Sequence, residues 1–283
     1  MGLNGHFTKR DLELPKHRKI IMNAIELDLK NDKNILGIFY GGSIGNRNSD
    51  LYSDIDLRIV VKDEFFEEYR LNKKQRAKNW GNVLFFEDFP WATYSVVHYD
   101  TFMKVDSFYY RCEDLQPSVW LNNIKIIYDN DSFLKRLLEK STELSYIPSL
   151  QEVEIWRTKV FAYLHEIYRR IMRNELYYAL RCLDDLRLSL VTAWHMELGY
   201  PPNSFGDWTK VEGERSHLYD WQLKLLEEWY SNREPDNILK AMNSMIPEFI
   251  RLHQILCDKV KLDVDSEWIE RILKKVPISK DFM

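Results

Sequence analysis

Gly41-Gly42-Ser43-Ile44-Gly45-Asn46-Arg47-Asn48-Ser49-Asp50-Leu51-Tyr52-Ser53-Asp54-Ile55-Asp56 is the stretch on which the reading of this chain turns. Upstream of it, Ile35-Leu36-Gly37-Ile38-Phe39-Tyr40 is a short apolar run closed by glycines, the pattern of a buried strand. A strand therefore delivers the chain to two glycines and a serine, where backbone amides can approach a phosphate with no side chain in the way. A helix starting at or after Ser43 would add its N-terminal dipole to that anion preference. The chain then enters a second apolar run, Ile55 to Val61, through Asp54 and Asp56. Strand side chains alternate, so these two carboxylates share a face roughly 7 Å apart. They repel unless something positive sits between them, and magnesium, which takes one or two carboxylates plus phosphate oxygens, meets that need.

A third carboxylate is expected from a neighbouring strand. Asp106 lies within Met103-Lys104-Val105-Asp106-Ser107-Phe108, a strand-like pattern, whereas the nearby Asp100 falls at a turn between two strands. Three carboxylates facing one point suit a site that clamps the attacking and leaving oxygens of a phosphoryl group.

Gly-Gly-Ser, the spacer, Asp-Ile-Asp and a later Val-Asp on a strand resemble the nucleotidyltransferase superfamily typified by DNA polymerase beta. A compact catalytic domain followed by a helical one resembles the bacterial antibiotic nucleotidyltransferases, which adenylylate aminoglycosides or lincosamides. The motif resemblance covers residues 35 to 128; the helical half matches only in character. It implies that Gly42 and Ser43 hold a nucleoside triphosphate, ATP by that likeness, and that Asp54 and Asp56 ligate Mg2+. Asp106 is then a third ligand or the base that deprotonates the acceptor hydroxyl. Arg47, between turn and aspartates, is placed to touch phosphate oxygens, an exposed loop arginine being the plainer reading.

The rest of the chain is read around that core. Strand-like runs follow at Val83 to Phe86, Thr93 to His98, Phe102 to Tyr109 and Ile124 to Tyr128. With a leading helix from about Leu14 to Asn31, they make residues 1–147 a mixed α/β domain with a sheet of about five strands. Residues 148–283 read as an all-α bundle. Its helices run from Gln151 to about Leu198 with a break near Asn174, then Leu218 to Tyr230 and Ile238 to Val260, with Asp236 as a helix N-cap.

Composition narrows the class further. Apolar residues at 45% and aromatic residues at 14% supply a sizeable core and exclude general disorder. No run approaches the roughly 18 apolar residues of a membrane span, and the first residues lack a secretory pattern. Cys112, Cys182 and Cys257 are too few and scattered for a disulfide framework, so the expected compartment is cytoplasmic. A net charge of −4 disfavours nucleic acid as partner. The oligomeric state is not legible.

Other motifs weigh less. Gly41-x-Ser43-x-Gly45 matches a hydrolase nucleophile elbow, but one preceding strand and a helical second half do not make that fold. Lys73, Lys74, Arg76 and Lys78 read as a solvated helix face or loop. The acids Glu152, Glu154, Glu166, Glu175, Asp184 and Asp185, with aromatic residues such as Trp156, Tyr163, Trp194 and Trp229, are candidates for a pocket that takes a cationic acceptor. The expected activity is transfer of a nucleoside monophosphate to a hydroxyl of a small molecule held between the domains. The rival is an antitoxin-like or regulatory protein that nucleotidylates or binds a protein partner.

Overall fold

A computed structural model describes residues 7–277. The chain divides between Ser145 and Tyr146 into two compact units. The first opens with helix α1 (Thr8–Lys30) and continues through β1 (Ile35–Tyr40), the single turn α2 (Gly42–Gly45), β2 (Ile55–Val61) and helix α3 (Phe66–Ala77). The strands β3 (Val83–Glu87), β4 (Tyr94–Tyr99), β5 (Lys104–Tyr110) and β6 (Lys125–Asp129) follow, closed by helix α4 (Phe133–Thr142). All six strand-like runs join one sheet in the order β3-β4-β5-β2-β1-β6, so the sheet is one strand wider than the five expected. The β2–β5 pair is parallel and every other pair is antiparallel.

Alternation along the central strands sorts the sheet into two faces. Ile55, Leu57, Ile59 and Val61 of β2, with Val105 and Tyr109 of β5, are buried in a cluster shared with Leu14, Ile21, Ile25 and Leu29 of α1 and Phe66 of α3. Burial of each such side chain contributes about 1.5–3 kcal/mol. The opposite face is covered at one end by α4, where Phe39 and Val60 pack on Leu134 and Leu137. The remainder of that face carries Asp56, Arg58, Lys104 and Asp106.

In the basic stretch 73–78, Lys74 and Lys78 are exposed as expected, whereas Lys73 and Arg76 depart from expectation. The stretch lies in and just after α3, and Lys73 is buried, 2% exposed, rather than solvated. Its Nζ donates to the carbonyls of Phe89 (2.7 Å) and Ala92 (2.8 Å) and pairs with Asp88 at 3.1 Å. Arg76 is tied to Asp28 and Asp32 of the α1 end. Lys73 and Arg76 thus fasten the segment after β3 and the end of α1, because long aliphatic stems bury well when the charged head finds partners.

The second unit is helical: α5 (Leu150–Met172), α6 (Leu176–Leu198), α7 (Asp220–Glu228), α8 (Pro235–Ser244), α9 (Ile246–Val260) and α10 (Ser266–Leu273). Ser149 caps α5 in a reciprocal box with Glu152. Asn174, at φ 57°, breaks the chain between α5 and α6 where a break was expected. Two readings are corrected. Residues 238–260 are not one helix, since α8 ends at Ser244 and Met245 separates it from α9, whose Pro247 has no N–H to continue the ladder. Asp236 is not the N-cap: Glu234 is, with Pro235 opening the first turn and Asp236 within it. The core holds Trp194 stacked on Trp229, ring centres 5.6 Å apart, and Trp156, whose indole N–H donates to the Ser189 carbonyl at 2.8 Å. None of the helices is long and apolar enough to cross a membrane among the described residues.

Candidate active site

The site is built from the turn that follows β1. Gly41 N–H donates to the Asp56 carbonyl (2.9 Å), which lays the turn against the start of β2. Gly42 has φ +53°, and a Cβ placed there would stand 1.8 Å from Asp56 Oδ2 and 2.7 Å from its Cγ. The position therefore demands glycine twice, for its left-handed backbone and for the carboxylate lying over it. The helix expected after Ser43 is a single turn, Gly42–Gly45. Ser43 is 4% exposed beneath that turn, and Ser49 Oγ donates to its Oγ at 3.4 Å. Arg47 sits at φ 57° with an exposed side chain.

The loop that carries the chain on to Asp54 is held from α1. Arg18 Nη1 donates to the carbonyls of Asp50 (2.9 Å) and Ser53 (2.8 Å). Burial lowers the pKa of this guanidinium, opposed by the charges of Asp50 and Asp54. Within the loop, the Asp50 carboxylate accepts from the Tyr52 N–H (3.0 Å) and Ser53 Oγ (2.9 Å), while Tyr52 Oη donates to Asp11 of α1 (2.9 Å).

The parallel β2–β5 register sets Asp56 beside Asp106. Lys104, two residues before Asp106 on the same face, places its Nζ 2.7 Å from Asp54 Oδ2 and 3.1 Å from Asp106 Oδ2. Arg58 Nη2 lies 3.8 Å from Asp56 Oδ1, and its guanidinium covers the Phe108 ring at 3.9 Å. All three aspartates are thus brought to one patch of the sheet, with an ammonium bridging two of them. Among the described residues, no three His, Cys, Asp or Glu side chains are gathered so as to hold a metal ion. Burial pushes the Asp106 carboxyl above its usual range; Lys104 pulls the other way, and the charges of Asp54 and Asp56 add to the rise. Burial alone would lower the Lys104 ammonium, but its hydrogen bond to Asp54 and the charge of Asp106 outweigh that and hold it above its ordinary value.

Asp106 Oδ1 is buried and has no hydrogen-bond partner among the described protein groups, while Oδ2 faces Lys104. Carboxylate oxygens are the donors that magnesium prefers, so these residues match that ion in donor chemistry, while the Lys104 ammonium joins two of them. Asp100 belongs to the turn after β4, where Asn82 Nδ2 donates to its carboxylate at 2.8 Å. The same sheet face carries aromatic pairs: Tyr94 with Phe108 (5.2 Å between ring centres) and Phe85 with His98 (4.2 Å), and His98 meets Glu87 at 2.6 Å.

Sequence reasoning passed over Lys104, Arg58 and Arg18. The first two were findable, since each lies two residues from a chosen aspartate on a strand and hence on its face. Arg18 has no local signal, because its partners are 32 and 35 residues away.

The acids of the helical unit are engaged locally. Glu154 pairs with Arg157, Glu166 with Arg169 and Arg170, Glu175 with Arg170, Asp184 with Arg187 and Asp185 with Arg181. Glu152 serves the Ser149 cap. Trp156, Trp194 and Trp229 are core side chains, whereas Tyr163 stacks on the exposed Phe205 at 6.4 Å.

Residues 16–276 match the sequence model of a family described as streptomycin adenylyltransferase. The chain belongs to the streptomycin adenylyltransferase family. Membership bears out the nucleotidyltransferase resemblance read from Gly-Gly-Ser and Asp-Ile-Asp. Among solved structures, an aminoglycoside 6-adenyltransferase from Bacillus subtilis aligns at 14% identity and TM-score 0.42, covering 93% of this chain and 98% of its own. A nucleotidyltransferase-like protein from Exiguobacterium sibiricum aligns at 14% identity and TM-score 0.43, covering 92% and 80%. No curated protein matches this member of the streptomycin adenylyltransferase family.

Proposed function

We propose that the protein transfers AMP from ATP to a hydroxyl of a small cationic antibiotic of the aminoglycoside type, releasing pyrophosphate, with Mg2+ required. The observation that carries this reading is the register pairing of Asp56 with Asp106 next to Asp54, directly over the Gly41-Gly42 turn. The family's description supplies the adenylyl group and the antibiotic class.

The roles follow from position. The backbone of residues 41–43 and the Arg47 side chain hold the β and γ phosphates. Asp54, Asp56 and Asp106 would hold Mg2+, which supplies charge neutralisation of the triphosphate and polarisation of the attacked phosphoryl group when bound. Asp106 takes the proton from the acceptor hydroxyl as its oxygen attacks the α-phosphorus and the bond to pyrophosphate breaks. The buried, orphan Oδ1 suits a proton acceptor, because burial raises its basicity. Arg58, anchored on Phe108, orients Asp56.

The test is label transfer. Purified protein, Mg2+ and ATP labelled in the adenosine or α-phosphate are incubated with streptomycin, other aminoglycosides, lincosamides, small proteins and RNA. Label is expected on a cationic aminoglycoside. Label on protein alone supports the regulatory rival, and label on RNA alone supports an end-modifying enzyme; either outcome removes the antibiotic reading.

A further inference from the structure

Lys104 stands where a cation would bridge the carboxylates. Its strand position explains how it gets there: β5 runs parallel to β2 with Val105 beside Ile55, so Lys104 falls beside Asp54 while sharing a face with Asp106. The ammonium reaches both carboxylates, at 2.7 and 3.1 Å. Its side chain is 35% exposed, so the head can leave without disturbing the strand. The carboxylates it bridges come from the residue just before β2 and from β5, and without a positive group they repel across the β2–β5 pair.

We propose that Lys104 is a placeholder cation: it occupies the Asp54–Asp106 bridge before nucleotide arrives, suppresses metal binding there, and is drawn off the carboxylates by the triphosphate. The inference rests on the reading of these aspartates as the metal-holding set. A compact ammonium and a divalent ion cannot share the same oxygens without like-charge repulsion, so each excludes the other. A triphosphate offers the lysine a denser negative partner, and the ammonium that leaves the aspartates becomes a phosphate contact. Lys104 thus couples nucleotide entry to opening of the carboxylate site. By reciprocity, whatever takes Lys104 off the aspartates raises their affinity for the ion.

The experiment is a pair of binary titrations on the full chain. Mn2+ binding without nucleotide is followed by electron paramagnetic resonance of the free ion, for wild type, Lys104→Met, Lys104→Arg and the double variant Lys104→Met/Asp106→Asn. ATP binding is measured separately in EDTA. Lys104→Met is expected to bind Mn2+ at least tenfold more tightly than wild type, Lys104→Arg to stay near wild type, and the double variant to lose the gain. In EDTA, Lys104→Met is expected to bind ATP several-fold more weakly. Circular dichroism establishes that each variant is folded, and Lys104→Gln, neutral and of similar length, replaces the methionine variant if that one is not. A lysine that merely braces the strands predicts unchanged or weaker Mn2+ binding on its removal, and that result overturns the inference without bearing on the proposed AMP transfer. Transfer at full rate by wild type in EDTA overturns the metal reading beneath it.

Discussion

Gly42 and Asp106 illustrate how single positions decide this site. An alanine at Gly42 meets both a left-handed backbone and the Asp56 carboxylate. Gly42→Ala is therefore expected to lower stability by about 1–2 kcal/mol, the cost of a left-handed non-glycine residue, and to weaken ATP binding by displacing Asp56. Urea denaturation and ATP titration together check this, and unchanged binding in the folded variant would refute the placement of the phosphate turn. At Asp106 stability and activity pull apart. Its carboxyl is held above the usual range by burial, so the folded state binds this proton more tightly than the unfolded chain does. The stabilisation linked to that proton is present below the unfolded value near 4 and is lost as pH rises through the folded one. Asp106→Asn, which mimics the protonated form, is expected to melt higher than wild type at pH 7 without ligands and to lose that advantage as pH falls below about 4. Its AMP transfer rate should drop by about 10²- to 10⁴-fold, the usual weight of a general base. A variant that melts lower at pH 7 would show that burial does not dominate at this carboxylate.

At the scale of elements, two helices hold loops through single basic side chains. Arg18 of α1 carries two carbonyls of the loop that leads to Asp54. Arg18→Met, which keeps the apolar stem, is expected to cost about 1–3 kcal/mol from the lost hydrogen bonds. Amide exchange should speed up over residues 48–54 while the β2 amides stay protected, and uniform exchange across both segments would contradict this local role. Lys73 of α3 holds Phe89, Ala92 and Asp88 from a buried position. Removing it leaves the Asp88 carboxylate, 9% exposed, with only Lys74 at 3.9 Å, so Lys73→Ala should destabilise by about 3–5 kcal/mol in urea unfolding. A loss under about 1 kcal/mol, the range of a surface pair, would mean that Lys73 is solvated in solution.

For the whole molecule, the cores are segregated along the chain. Every buried residue of the helical unit's cluster lies between Val153 and Leu273, and the two clusters of the sheet unit lie between Leu14 and Leu137. Each unit thus closes its own apolar core. The fragment 146–283 is expected to fold alone, with a helical circular dichroism spectrum and a cooperative thermal transition. A fragment that melts without cooperativity would show that its core needs the first unit.

What the sequence by itself determined was whatever depends on near neighbours. Gly41-Gly42 after an apolar run is a turn wherever it occurs, Asp54 and Asp56 share a face by strand alternation, and the strand-like runs show as apolar stretches between breakers. The arginines that occupy Glu154, Glu166, Asp184 and Asp185 lie three or four residues away on the same helices, so those pairings too were readable in the spacing. The buried role of Lys73 was not, because its partners come from the segment that follows β3. Tertiary structure alone decided that β2 pairs in parallel with β5 across some fifty residues, which brings Asp56 beside Asp106 and Lys104 between Asp106 and Asp54. Strand pairing at that separation is chosen by the burial of whole faces, not by any local preference, and the charge pattern of the site follows from it.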